Sequence, residues 1–133
     1  MELRRAAAIG YAVISAGVVA FQIALALGAP WGSAAMGGAF PGQYPPAMRV
    51  AAIFQAALMA LTAGVVLSRA GVALPRWSRM SRRLVWLVVA FAGVGLVLNL
   101  LTPSASERNL WAPVTFLLLA CSLMVAAGKP PSE

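Results

Sequence analysis

The chain has 133 residues, of which 62% are hydrophobic and only 10% charged, with a formal net charge of +7. Soluble globular domains carry about a quarter charged residues, so this balance is that of a polytopic membrane protein. One cysteine and no histidine exclude an intrachain disulfide, a CxxC redox centre and the usual His/Cys zinc or haem sites, and no cofactor is expected.

The first apolar run, 6–27, is free of charge and close to the roughly 20 residues that cross about 30 Å of hydrocarbon. It exceeds the ~7–15-residue core of a cleavable signal, so it reads as a permanent span. Ala8, Ala12, Ala16, Ala20 and Ala24 recur along it at spacing four, and the second run, 50–67, carries Ala52, Ala56, Ala60 and Gly64 at the same spacing. Small residues let membrane helices approach closely, so spans one and two are expected to pair through these ridges, with Val19 and Val65 facing lipid.

Between these runs lies GAPWGSAAMGGAFPGQYPPAM, residues 28–48, with five Gly, four Pro and no charged side chain. An exposed linker of that length would carry Lys, Asp, Glu or Asn. Trp31, Met36, Phe40 and Tyr44 instead point to a lid folded onto the helices at head-group depth, with Trp31 and Tyr44 as interfacial anchors; the alternative is a flexible periplasmic linker with interfacial aromatics. Gly37, Gly38 and Gly42 permit tight turns, and Pro45-Pro46 sets the entry to span two.

The third run, 84–101, carries Gly93, Gly95 and Asn99, and the short TPSASERN connection makes it the hairpin partner of the fourth run, 110–127. Two starts for the last helix are open. Ser104 and Glu107 fit an S-x-x-E capping box that leaves Pro113 inside the helix, or Pro113 sits near the first turn and the helix begins at Leu110 or Trp111.

Lipid offers bare amides no water, so all four runs are expected to be helices: an all-α, single-domain (1–133) four-transmembrane-helix antiparallel bundle with a Gly/Pro-rich outer loop between helices 1 and 2. The basic residues follow this threading, which removes nucleic acid as a partner. Arg4, Arg5, Arg69, Arg76, Arg79, Arg82, Arg83 and Lys129 fall on one side, Arg49 and Arg108 on the other. The positive-inside rule then predicts a bacterial inner-membrane protein with both termini and the 69–83 connection cytoplasmic. Membrane lipids are the expected partners; the basic connection reads first as a topology signal, and as an anchor it would gain about 1 kcal/mol per residue from anionic head groups.

Polar side chains within spans mark the candidate site, since each costs free energy unless partnered. Tyr11, Ser15 and Gln22 share one helical face, Gln55 and Thr62 another, Trp111, Thr115 and Ser122 a third. By depth Gln22, Gln55, Asn99 and Thr115 all fall in the outer half, beneath the lid. Arg49, at the unfavourable positive end of span two, is expected to pair with Glu107 across the mouth, in competition with the capping role of Glu107 and with snorkelling of Arg49 into head groups. With Trp31, Tyr44 and Trp111, these residues form an expected ligand-binding site for a lipid-like or amphipathic small molecule. The competing structural reading is interhelical hydrogen bonding, worth about 0.6 kcal/mol per group. Two further functions stand beside it: a scaffold or accessory subunit for a membrane partner, homo-oligomer included, and a membrane-embedded enzyme or small transporter using Glu107 and Arg49. With no histidine, no buried carboxylate expected and no nucleophile beside a base, the residues favour binding over catalysis.

The small multidrug exporters depend on a Glu within the first span, which this sequence lacks, and the motifs of the dual-topology fluoride channels are absent. GAPWG after span one, QYPPAMR entering span two and ERNLWAPV entering span four resemble the uncharacterised small, Ala/Val/Arg-rich four-helix integral membrane proteins of high-GC bacteria. That resemblance implies the membrane fold and carries over no catalytic residue.

Overall fold

The computed structural model describes residues 2–35 and 38–128; Met36, Gly37 and Lys129 lie outside them. The described chain is all-α, with helices α1 (Glu2–Ala26), α2 (Pro46–Arg69), α3 (Ser78–Leu101) and α4 (Ala105–Ala127). All four are long and apolar enough to span a membrane, which is consistent with a multi-pass membrane protein.

Each helix extends beyond its apolar run because local chemistry sets its ends. α1 stops where Gly28 takes φ +108, a conformation L side chains rarely adopt, and Ala29 N then donates back to Ala24 O at 2.9 Å. α2 begins with Pro46, whose missing N–H costs nothing in a first turn. α3 follows a 3-10 turn, Pro75–Trp77, entered through a left-handed Leu74 whose carbonyl accepts the Ser68 hydroxyl at 2.9 Å. For α4 the capping alternative holds: Ser104 Oγ accepts Glu107 N at 3.2 Å, and Pro113 lies inside the helix. The Asn109 carbonyl therefore lacks its usual donor four residues on.

α1 packs on α2 and on α4, and α3 packs on α4 and on α2, while α2 and α4 touch little across the centre. One apolar core joins all four helices around Tyr11, Val66, Val85 and Val125. A smaller one joins Leu25, Ala35, Tyr44 and Ala52, with Phe21, Phe40 and Met48 against it. Tyr11 donates its hydroxyl to Thr62 Oγ1 at 3.0 Å, and Thr62 in turn donates to Met59 O at 2.7 Å, so the main buried polar link between α1 and α2 is satisfied.

The small-residue ridges are not the seam as expected. Ala8, Ala52 and Ala56 are buried, but Ala16, Ala20 and Ala60 are exposed, and Val65 is buried. A row at spacing four turns about 40° per step around a 3.6-residue helix, so it leaves the contact face after two or three members. Gly64 instead serves the α2–α3 turn: a Cβ there would meet the Trp77 ring at 2.7 Å.

The two ends of the molecule differ in charge. At the end opposite the 27–45 loop, Arg4 is buried and donates from Nε to Val125 O at 3.1 Å, placing a cation at the negative end of α4. Arg69 is its electrostatic neighbour and Arg82 is that of Arg69, and the three mark the arginine end of the molecule.

The altered seam makes a direct prediction. Ala56→Leu, which forces a larger side chain into a closed site, should cost about 1–3 kcal/mol, whereas Ala60→Leu points outward and should be nearly neutral. Thermal unfolding in detergent separates them; equal losses would mean that both alanines face a neighbour.

Candidate functional site

The loop between α1 and α2 is fastened to the start of α4. Trp111 Nε1 donates to Ala34 O at 2.7 Å, and Ser104 Oγ donates to Ser33 O at 2.8 Å. Trp31 stacks on Phe21 with centroids 6.0 Å apart, while Phe21 meets Trp111 edge-on at 4.7 Å. The loop closes on itself where Gly32 N donates to Gly42 O at 2.9 Å. A Cβ on Gly32 would fall on the Phe40 carbonyl, so only glycine fits this crossing.

Beneath the loop lies a cavity of about 620 Å³, within the roughly 300–1,000 Å³ of small-molecule sites. All four helices contribute to it. Near the loop its wall is mixed, with Gln22, Tyr44, Gln55, Asn99, Glu107 and Thr115 set among Phe21, Ala35, Met48 and Trp111. Towards the middle of the helices it is made by Val18, Met59, Phe91, Ala92 and Leu118, with Tyr11 at the bottom turning its hydroxyl to Thr62. Most of the polar lining groups therefore gather at the loop end of a largely apolar cavity.

Of the residues anticipated from sequence, Gln22, Tyr44, Gln55, Asn99, Glu107, Trp111 and Thr115 line this cavity, and Trp31 and Arg49 do not. Trp31 is half exposed and acts through its stack on Phe21. Arg49 donates from Nε to Tyr44 O at 2.8 Å, and its terminal nitrogens lie beside Gly28, at the negative end of α1. That position relieves the unfavourable dipole of its own helix by borrowing a neighbouring one. Glu107 corrects the expectation that no carboxylate is buried: the capping turn draws it inward until it is 8% exposed. Burial, and the Glu107 charge after it, raise the Tyr44 phenol above its ordinary value, so it stays protonated and can donate at neutral pH.

The polar side chains are unequally satisfied. Thr115 donates to Trp111 O at 2.8 Å on its own helix, and Asn99 Nδ2 reaches Thr115 Oγ1 only at 3.5 Å, the limit of a hydrogen bond. Gln22 and Gln55 are hydrogen-bonded to no other described residue.

The cavity also has a side. Its exposed lining residues are Ala51, Phe54 and Gln55 on α2 and Phe91, Leu98 and Leu101 on α3, followed by Pro103; those contributed by α1 and α4 are buried or half-buried. The opening therefore lies between α2 and α3. Sequence reasoning missed this mouth and its phenylalanines, because a Phe in an apolar run carries the same signal whether it faces lipid or a cavity.

Replacing Trp111 by Phe keeps the ring against Phe21 and removes only the donor to Ala34. A stability loss of about 0.5–1.5 kcal/mol is expected, with faster hydrogen exchange at the Ala35 amide, since the turn it closes is no longer anchored. Unchanged exchange would show that the loop is held without this bond.

No protein-family model matches the chain, and no curated protein or solved structure matches it.

Proposed function

We propose that the chain is a four-helix antiparallel bundle of the bacterial inner membrane, with the arginine end cytoplasmic and the 28–48 loop outside. It binds a lipid-like or amphipathic small molecule in the outer-leaflet half, with the loop as a lid. The observation that carries this reading is the cavity itself, largely apolar with most of its polar groups gathered beneath the loop, closed above by Trp111–Ala34 and Ser104–Ser33. An amphiphile bound upright would match that gradient, its head at Tyr44, Asn99 and Gln55 and its tail towards Met59 and Leu118. Interhelical hydrogen bonding explains Tyr11 and Thr62 well and explains Gln22 and Gln55 poorly, because neither glutamine bonds to another described residue.

Native mass spectrometry of gently purified protein should find a bound amphiphile. Gln55→Leu and Asn99→Leu should lower its occupancy while the fold survives. Adding the compound back at a hundredfold excess over Kd should stabilise the parent by about 2.7 kcal/mol. An empty protein destabilised by both substitutions would assign the polar groups to helix association instead.

Orientation has its own check. Cysteines at Ser78 and Ser33, each in a Cys121→Ala background, should react with impermeant reagents from opposite faces of the membrane, as the arginine distribution requires. Labelling of both from one face would end the proposed threading.

A further inference from the structure

The proposed site leaves two questions that its walls can answer: by which route an occupant arrives, and what head group it carries. Resting on the binding reading above, we infer that the cavity is loaded sideways from the membrane, between α2 and α3, by a single-chain amphiphile whose head is uncharged and donates hydrogen bonds.

The route follows from where the walls are closed. At the loop end α1 and α4 are joined through Phe21 and Trp111, with their ring centroids 4.7 Å apart. The loop runs from α1 to α2, packs Ala35 and Tyr44 against Leu25 and Ala52, and bonds to α4 at Ser104 and Trp111. α3 and α4 are joined by the tight turn 102–104, in which Ser104 N donates to Thr102 Oγ1 at 3.3 Å. The remaining flank is α2 against α3. These helices are joined by the turn at 70–77 at the arginine end, and the cavity's exposed lining residues lie along them up to Pro103. That flank is framed by Phe54, Phe91, Leu98 and Leu101, with Gln55 as the polar group at the mouth. An apolar gate set between two spans admits a molecule already dissolved in lipid and offers little to one arriving from water.

The head group follows from the donors and acceptors inside. Among the described lining residues Glu107 is the only charged one, so an anionic head would meet a like charge. A cationic head would have to be stripped of water in a cavity otherwise made of amides, hydroxyls and hydrocarbon, a cost that one carboxylate offsets only with close geometry. A hydroxyl or amide head meets neither obstacle and matches the carbonyl oxygens of Gln22, Gln55 and Asn99. The volume, about 620 Å³, accommodates one chain and a compact head; two acyl chains and a phosphate head group exceed it.

The test uses purified full-length protein in nanodiscs and three probes of equal chain length: monolauroylglycerol, dodecyl phosphate and dodecyltrimethylammonium. Monolauroylglycerol should bind at least about tenfold more tightly than either charged probe. Tighter binding of either charged probe would overturn the head-group assignment. For the route, Ala51→Cys with Leu98→Cys closes the side mouth and Ser33→Cys with Ser106→Cys pins the loop to α4, both in a Cys121→Ala background and both joined by a thiol-cleavable bifunctional reagent. Joining the first pair should slow uptake of monolauroylglycerol by about tenfold or more, joining the second should leave it unchanged, and cleavage should restore the first to the parental rate. Uptake lost on pinning the loop and kept on closing the mouth would overturn the sideways route while the binding reading stands. If the uncross-linked parent takes up none of the three probes, the binding reading itself fails, and this inference with it.

Discussion

The indole N–H of Trp111, 2.7 Å from the Ala34 carbonyl, is the contact on which the loop end of the molecule depends. Beyond the 3-10 turn Gly32–Ala34 and the Gly32–Gly42 bond, the loop carbonyls of Ser33 and Ala34 find their donors at the start of α4. Trp111 provides a donor and a broad apolar face from one side chain, and Phe21 couples that face to Trp31 on the loop. Ser104 completes the attachment while capping α4, accepting from Glu107 N and donating to Ser33 O. The same turn therefore starts a helix, buries a carboxylate and roofs a cavity.

α2 and α3 share a turn at the arginine end and carry the cavity's exposed lining towards the loop end. At the arginine end Trp77 fills the space above Gly64, and Ser68 holds the Leu74 carbonyl, so the two helices begin close together. At the loop end α2 is drawn towards α1 through Ala52 and Leu25, and α3 turns into α4 through Thr102 and Ser104. Each helix is committed to a different neighbour, and the space between them is left to be lined by side chains.

The helices were legible in the sequence because the bilayer imposes a length and forbids bare amides, and a charge-free run meets both demands without knowledge of tertiary structure. Helix ends were legible only where a cap declared itself. Ser104 and Glu107 permitted two starts for α4, and geometry selected the earlier one, carrying Pro113 into the helix. The pairing seam was less legible: a spacing of four looks like a stripe on paper, yet it winds away from a straight neighbour, which is why Ala8 is buried and Ala16 exposed. Depth along the spans located Gln22, Gln55, Asn99 and Thr115 near one level, since 1.5 Å per residue converts position to depth. Azimuth did not follow as readily, so Arg49 could be given Glu107 as a partner when it bonds the carbonyl of Tyr44 and lies under the end of α1.

Arg4 gives the molecule a temporal constraint. Its Nε meets the carbonyl of Val125, and its side chain lies against Gly128, so a side chain on α1 finds its acceptor on α4, the farthest of the four helices along the chain. Throughout synthesis α1 can settle against α2, and α3 against α4, since each pair is adjacent in sequence and closes a short loop. The clasp between α1 and α4 must wait until α4 is made, so the α1–α4 seam is the latest of the contacts between neighbouring helices to close.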